Sequence, residues 1–340
     1  MMKSLRIVSA LALACFTVGQ AEAQAYCALR APVTTIGKMF PGCNHRSTTK
    51  TVGDDVRLAI SRRLPFNLHF DELGRHTVYF VTDPANYDSF EGIVHVRTEE
   101  GSMGLNEIAW AFDENLRVID FRFQKTREKR KDIMVIESPP IRDRIIGSGY
   151  DELRALLSRN GESLAEGVEA LAPEAKGLLT QVIHCGLKTM ITTEEAWGAD
   201  LWDLRVRATL GSGYWQLQTF SSRRIYSTPS MRAIEGAGSP DLDGAKVQAW
   251  KAVNDSTGAV QYVVRTPLRI SGVSLQLLWV LDGDGRLVAI TQHGGWGNAE
   301  VKSGFERLIG TLAQGVEDCA SASELFFSEV SQIAKALASS

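Results

Sequence analysis

The fold of this chain is indicated by two similar stretches, IAWAFDENLRVIDFRFQ at residues 108–124 and LLWVLDGDGRLVAITQH at residues 277–293. Each stretch has an apolar segment, a turn built on Asp with Asn or Gly, and a second apolar segment. This pattern predicts a β-hairpin. Three matched pairs share a constant offset of 169 residues: Trp110 with Trp279, Asp113 with Asp282, and Arg117 with Arg286.

The sequence around the hairpins distinguishes a true repeat from two unrelated hairpins with a common type of turn. Strand-like stretches precede both hairpins, at 76–82 (HTVYFVT) and 260–266 (VQYVVRT). Helical segments follow each hairpin in the same order, at 150–157 and 178–190 in the first half and at 305–312 and 324–337 in the second. The repeated order predicts an α+β fold of two tandem domains, each a twisted antiparallel sheet with packed helices.

The domain boundary is expected near 191–200, between the closing helix of the first half and a new run of strands. Residues 24–195 would form the first domain and residues 196–340 the second. The first domain carries an N-terminal extension in which GDDVRLAISRRL, residues 53–64, spaces its apolar residues as a helix does. Pro65 is expected to end that helix.

The N-terminus has the pattern of a signal peptide. Lys3 and Arg6 precede an uncharged stretch at 7–19, and Ala21-Glu22-Ala23 supplies a small-x-small cleavage pattern. We therefore expect residues 1–23 to be removed and the mature chain to be a periplasmic, soluble protein without a membrane span. A buried N-terminal helix and a lipoprotein acylated on Cys15 are the alternatives.

Composition favours an ordinary globular protein. The chain is 44% hydrophobic and 23% charged, and its net charge of -3 gives no electrostatic reason to expect a nucleic-acid partner. The run KTREKRK at 125–131 is locally basic but contains Glu128. We interpret it as a solvated loop.

The cysteines predict two disulfides in an exported protein. After loss of Cys15 the chain retains four cysteines, at 27, 43, 185 and 319. Sequence alone permits three pairings, and the short loop favours Cys27–Cys43 with Cys185–Cys319. The cluster HFDELGRH at 69–76 contains metal-ligating residue types, but its spacing does not match a zinc helix, and a turn is the preferred interpretation.

Both halves resemble, as two degenerate tandem copies, the FMN-binding domain found in the flavin-carrying subunits of Rnf and Nqr electron-transport complexes, and the likeness is closest at the hairpin of the second half. Residues 281–288 (LDGDGRLV) look like the family's D-x-D-G-x-I turn, and residues 292–297 (QHGGWG) lie where its His-containing loop belongs. Residues 39–43 (MFPGC) resemble a leading segment of the family ahead of the first repeat. The resemblance implies a flavin site that includes His293.

The flavin-attachment motif is altered. Aligning the final helix places DCASASE, residues 318–324, over the family's D-x-x-S-G-A-T, so Glu324 replaces the Thr that FMN phosphate esterifies. A carboxylate cannot form that ester and its charge repels phosphate. Any FMN is therefore expected to be noncovalent, with a site drawn from six residues: His293, Gly294, Gly295, Trp296, Ser321 and Ser323.

Each proposed flavin contact has a structural alternative. Ser321 and Ser323 would serve equally as helix caps, Trp296 as a packing residue, and His293 as a surface or satisfied strand-end histidine.

Two functions are compatible with these residues. The first is an exported flavin-binding or flavin-derived accessory protein of an electron-transfer system, with a membrane electron-transport or redox protein as partner. The second is a non-catalytic periplasmic binding or assembly module that has lost the flavin.

Overall fold

The computed structural model describes residues 30–66, 68, 72, 74–157, 172–211, 215–222, 247–270, 273–283 and 287–293. Within these residues the protein has two five-stranded antiparallel sheets together with helices, so the α+β prediction is confirmed. The predicted signal peptide and the predicted helices at 305–312 and 324–337 lie outside the described residues.

Both sheets are meanders whose strands follow one another in chain order. The first sheet consists of β1 (Asn44–Val52), β2 (Gly74–Asp83), β3 (Asn86–Gly101), β4 (Gly104–Phe112) and β5 (Val118–Lys125). The second consists of β6 (Trp215–Ser222), β7 (Val247–Asn254), β8 (Val260–Ile270), β9 (Val273–Asp282) and β10 (Leu287–His293). The helices are α1 (Val33–Met39), α2 (Asp54–Arg63), α3 (Arg130–Ile136), α4 (Pro139–Ile145), α5 (Tyr150–Ala155) and α6 (Pro173–Leu210).

The two predicted hairpins are confirmed as β4–β5 and β9–β10. Trp110 pairs with His95 on β3 and Phe121 on β5. Trp279 pairs with Val264 on β8 and Ile290 on β10, residues that lie 169 positions after the partners of Trp110. Both tryptophans are buried in the fourth strand of their sheets, as expected for core residues.

One match between the halves was wrong. The stretch at 76–82 belongs to β2, whereas the stretch at 260–266 belongs to β8, the third strand of its sheet. The counterpart of β8 is β3, because Ile93 pairs with Phe112 as Tyr262 pairs with Leu281. Strand β3 was not predicted, because charged residues interrupt its apolar residues.

The predicted helix at 53–64 is confirmed as α2, with Gly53 and Leu64 as its caps. Asp54 and Asp55 lie in its first turn, where negative charge interacts favourably with the helix dipole. The backbone turns to an extended conformation at Leu64, immediately before Pro65, because proline disfavours a helical residue before it.

Helix α6 connects the two sheets. The predicted closing helix at 178–190 lies within it, and α6 continues through the expected boundary region to Leu210, with non-helical backbone angles at Trp197. Before Trp197 it packs on the first sheet, where a Cβ added to Gly186 would lie 2.7 Å from the Trp110 ring. After Trp197, Trp202 and Val206 pack on the second sheet.

Helix α1 covers the first sheet on the face opposite α6, through Ile36 and Phe40.

A glycine with a positive φ lies between each sheet and the helix that precedes it. Gly42, just after α1, has φ +82°, and Gly211, which caps α6 169 positions later, has φ +78°. Glycine adopts this left-handed conformation without a Cβ clash, so it allows the chain to leave a helix sharply for a strand.

No helix in the described part of the chain is long and apolar enough to cross a membrane.

Candidate functional site: a buried charge and histidine network

Strand β3 carries the polar residues of the candidate site. Side chains alternate between the two faces of a strand, and Val94 and Val96 belong to the core cluster on the α1 face. His95, Arg97 and Glu99 lie on the opposite face and make hydrogen bonds with α6. A polar stripe therefore runs along an otherwise apolar contact between the first sheet and α6.

Four charged side chains form the first part of the network. Arg97 donates to the Glu72 carboxylate through Nη2 and to Thr192 Oγ1 through Nη1 at 3.0 Å. Lys188 Nζ lies 2.9 Å from Glu72 Oε1 and 2.8 Å from Glu99 Oε1. Two cations and two anions balance, which a buried group of charges requires in order to be stable.

The charges shift one another's proton affinities. Burial lowers the pKa of Lys188, but Glu99 and Glu72 outweigh it and the net shift is upward. Burial raises the pKa of Glu99. The Lys188 charge lowers this pKa but offsets only part of the rise. The Lys188 ammonium is thus firmly charged, and Glu99 is the carboxyl of this group that gains a proton more readily than usual.

Two histidines extend the network into a chain of four contacts. His76 Nε2 lies 3.1 Å from the Glu72 carbonyl oxygen, and His76 Nδ1 lies 3.3 Å from His95 Nε2. His95 Nδ1 lies 2.9 Å from Thr193 Oγ1, which donates to the Thr189 carbonyl at 2.7 Å. Both ends of the chain are carbonyl oxygens, which only accept hydrogen bonds.

Counting protons shows that the four contacts are one proton short. With both imidazoles neutral, His76, His95 and the Thr193 hydroxyl each supply one proton to the four contacts. The tautomer of His95 decides which contact lacks a proton when His76 donates to Glu72. With the proton on Nδ1, two imidazole lone pairs face each other across the 3.3 Å gap between His76 and His95. With the proton on Nε2, His95 donates to His76, Thr193 donates to His95, and the Thr189 carbonyl loses the hydroxyl as a donor.

The surroundings oppose an added proton. Burial, with the Arg97 charge acting in the same direction, lowers the pKa of His76 to about 4. Burial also brings the pKa of His95 well below its usual value, with contributions from His76 and Arg97. Both rings are neutral at pH 7, and the pair takes up a proton only in acid.

The network ends at the irregular point of α6. The Trp197 ring lies edge-on to His95, with ring centroids 5.7 Å apart, and Lys50 Nζ lies 5.8 Å from the Trp197 centroid. Trp197 is fully buried, and among the residues that the structure describes its Nε1 has no hydrogen-bond partner. The histidine pair therefore contacts the residue at which α6 changes direction between the two sheets.

The segment HFDELGRH contributes two members of this network. Glu72 and His76 are buried and engaged with Arg97, Lys188 and His95. Within the described residues no group of three or more His, Cys, Asp or Glu side chains could hold a metal ion. His69 and Asp71 lie outside the described residues.

Sequence reasoning missed most of this site. The usable signal was the alternation of His95, Arg97 and Glu99 between valines on β3, because charged residues at every second position of a buried strand need buried partners. Those partners, Glu72 and Lys188, are distant in sequence and carry no motif.

Of the six predicted flavin contacts, the structure describes only His293. Its side chain is 5% exposed, its Nδ1 lies 2.9 Å from Asn115 Oδ1, and its Nε2 lies 2.9 Å from Thr209 Oγ1. Burial lowers the pKa of His293 to about 4, with Arg205 acting in the same direction. His293 therefore joins β10, α6 and the β4–β5 turn. Five predicted contacts lie outside the described residues: Gly294, Gly295, Trp296, Ser321 and Ser323.

Within the described part of the chain neither Cys43 nor Cys185 forms a disulfide. Cys43 packs with the cluster on the α1 face of the first sheet, whereas Cys185 is buried on the α6 face. Because the sheet lies between them, Cys43 and Cys185 cannot bond to each other. This excludes the one of the three possible pairing schemes that contains a Cys43–Cys185 bond. Cys27 and Cys319 lie outside the described residues, so the two favoured pairings stay a prediction.

No protein-family model matches this chain, and neither a curated protein nor a solved structure matches it. The likeness to FMN-binding domains therefore rests on the quoted residues alone.

Proposed function

We propose that this protein is an exported, periplasmic binding or assembly module that works without a bound flavin. The observation that supports this most directly is His293, whose two ring nitrogens both lie at hydrogen-bonding distance from other parts of the protein. A flavin contact through this ring would require the loss of Asn115 or Thr209 as a partner. Leaving a buried polar group unsatisfied costs about 1–3 kcal/mol.

The altered attachment motif supports the same proposal. Glu324 stands where the family has the esterified Thr, so the strongest means of retaining FMN is missing. A noncovalent site would have to bind FMN through the remaining residues alone, against the charge of Glu324.

The buried network is suited to a module with a stable shape. Glu72 is bound by Arg97 from β3 and by Lys188 from α6, so one carboxylate connects the sheet to the helix. Displacing α6 along the sheet would separate buried Lys188 from Glu72 and Glu99, which is strongly destabilising. The network thus favours a single arrangement of α6 on the first sheet.

The second candidate is a flavin-binding accessory protein of an electron-transfer system with noncovalent FMN. The β9–β10 hairpin favours it, because the hairpin that carries the family-like turn is present and ends at His293. The chain then enters the segment 294–297, where Trp296 would stack on the flavin. A membrane electron-transport or redox protein would be the partner.

One spectroscopic experiment separates the two candidates. The protein is purified from the periplasmic fraction, its visible absorption is recorded, and it is then precipitated with acid. We expect a colourless protein whose spectrum and tryptophan fluorescence do not change on titration with FMN.

The other outcomes contradict this proposal in distinct ways. Flavin released into the acid supernatant would establish the noncovalent flavoprotein, and Trp296→Ala should then lower its flavin content. Colour retained in the pellet would indicate covalent flavin. Absence of the protein from the periplasmic fraction would overturn export.

A further inference from the structure

The hairpin between β3 and β4 presents apolar side chains to solvent at its tip. The turn joins Gly101 to Gly104, which pair with each other at the end of the two strands. Met103 in the turn is 53% exposed and Leu105, the second residue of β4, is 43% exposed. Exposed apolar side chains are ordinary one at a time, but two at the end of a hairpin call for an explanation.

The basic run at 125–131 is held against this tip. Glu128 accepts hydrogen bonds from Ser102 Oγ at 2.7 Å and from the Met103 backbone N–H at 3.0 Å. Thr126 Oγ1 donates to Asn106 Oδ1 at 2.6 Å. Although burial would raise the pKa of Glu128, its hydrogen bonds to Ser102 and Met103 lower it overall, so the carboxylate is retained.

Cationic side chains therefore accompany the apolar tip. Arg127 lies beside the turn, since a Cβ added to Gly104 would lie 3.3 Å from Arg127 Cδ. The cations of the run are all exposed: Lys125, Arg127, Lys129, Arg130 and Lys131. Three acidic groups lie among or next to them, the exposed Glu100, the hydrogen-bonded Glu128 and the buried Asp132, so the five cations leave a net positive charge here on a chain whose net charge is -3.

We propose that this surface, which we call the basic tip (Met103, Leu105 and the cations of residues 125–131), binds the surface of an anionic phospholipid bilayer. Apolar side chains at a protruding end can enter the boundary between headgroups and acyl chains, while Lys and Arg remain at the level of the phosphates. An acidic protein would complement the charge alone. The exposed Met103 and Leu105 favour the bilayer, because they offer apolar surface that a purely electrostatic contact would leave in water.

The basic tip does not depend on whether the protein binds flavin. It belongs to the first sheet, and the predicted flavin contacts belong to the second half of the chain. A failure of either proposal therefore leaves the other standing.

The test is co-sedimentation with vesicles. The protein is purified in the form that the cell accumulates, its N-terminus is determined by mass spectrometry, and it is mixed with phosphatidylcholine vesicles with or without phosphatidylglycerol. We expect binding only when phosphatidylglycerol is present, and release by salt, because screening weakens attraction between surface charges.

Variants identify the surface responsible. Arg127→Ala, Lys129→Ala and Lys131→Ala should each weaken binding about fivefold, since each cation near an anionic membrane contributes about that factor. Combined Met103→Ser and Leu105→Ser should weaken it roughly tenfold through lost apolar burial. The matched controls are Lys38→Ala on α1 and Val288→Ser on β10, both exposed residues outside the basic tip. They should bind as the unsubstituted protein does.

Three results would overturn the proposal. Equal binding to both vesicle types would remove the role of charge, and unchanged binding by the basic-tip variants would place the contact elsewhere. Binding to polyglutamate without binding to phosphatidylglycerol vesicles would identify an acidic polypeptide as the partner class. Circular dichroism of each variant verifies that a loss of binding is not a loss of fold.

Discussion

His76 Nδ1 lies 3.3 Å from His95 Nε2 beneath α6, at hydrogen-bonding distance between two buried imidazoles. Glu72 and Thr193 occupy the other nitrogen of each ring. The adjoining ion pairs balance in charge, with the cations Arg97 and Lys188 and the anions Glu72 and Glu99. The pair is thus a buried proton acceptor whose use is opposed by burial and by Arg97.

The first prediction concerns stability in acid. The pKa of His76 is about 4 in the folded protein against an ordinary value of 6.5, so the unfolded chain binds a proton more readily. The contribution of neutral His76 to the free energy of unfolding should be fully present above pH 6.5. It should be lost as the pH falls toward 4, which lowers the free energy of unfolding by roughly 3 kcal/mol for His76 alone. Urea unfolding across this pH range measures the loss. An NMR titration midpoint for His76 near 6.5 would refute it.

The second prediction concerns the charge network. Lys188→Met removes one of the cations that contact Glu72 and the cation that contacts Glu99, so we expect a loss of about 3–5 kcal/mol in the free energy of unfolding. Adding Glu99→Gln to that variant should recover part of the loss by removing the uncompensated charge. Arg57→Ala, which breaks the exposed pair with Asp54, is the control and should cost less than about 1 kcal/mol. Equal effects of Lys188→Met and Arg57→Ala would contradict this account.

The third prediction compares two glycines of α6. A Cβ at Gly186 would lie 2.7 Å from the Trp110 ring and 2.9 Å from Leu153, whereas one at Gly177 would meet nothing within 4 Å. Gly186→Ala should destabilise the protein by about 1–3 kcal/mol through overpacking. Gly177→Ala should stabilise it by roughly 0.5–1 kcal/mol, because alanine is the better helix former. Thermal unfolding gives both signs, and a stabilising Gly186→Ala would show that α6 can move away from the sheet.

The fourth prediction tests the junction at His293. His293→Ala and Asn115→Ala should each destabilise the protein by about 1–3 kcal/mol, because each leaves the other partner buried and unpaired. The double variant should cost less than the two losses added together, since the shared hydrogen bond is counted only once. Thr291→Ala, two residues earlier on β10, is the matched control with an expected small effect. Fully additive losses for His293 and Asn115 would mean that the two side chains are not coupled.

The fifth prediction concerns the thiol of Cys185. Burial raises the pKa of Cys185 to about 12, with Glu99 acting in the same direction, so the reactive thiolate is scarce in the folded protein. If Cys185 remains a thiol, a thiol reagent should modify it in denaturant and not under native conditions, as peptide mapping would show. Modification at the same rate in both states would contradict its burial. Lack of modification even in denaturant without reductant would instead support the predicted bond to Cys319.

Local patterns in the sequence determined much of the fold. Alternating apolar residues around Asp113 and Asp282 predicted two hairpins, and the capping and spacing of residues 53–64 predicted α2, because these features depend on neighbours a few residues away. The same method matched β2 with β8 incorrectly, since it relied on apolar runs and β3 is interrupted by charges.

The candidate site was decided by the tertiary structure. Glu72, Arg97 and Lys188 are far apart in the chain, and nothing in their local sequence states that one carboxylate will lie between two cations. The sequence determined the two hairpins and helix α2, because backbone periodicity is local. Only the packing of α6 on the first sheet brought these side chains together, because the energy of a buried charge depends on which opposite charges the fold places next to it.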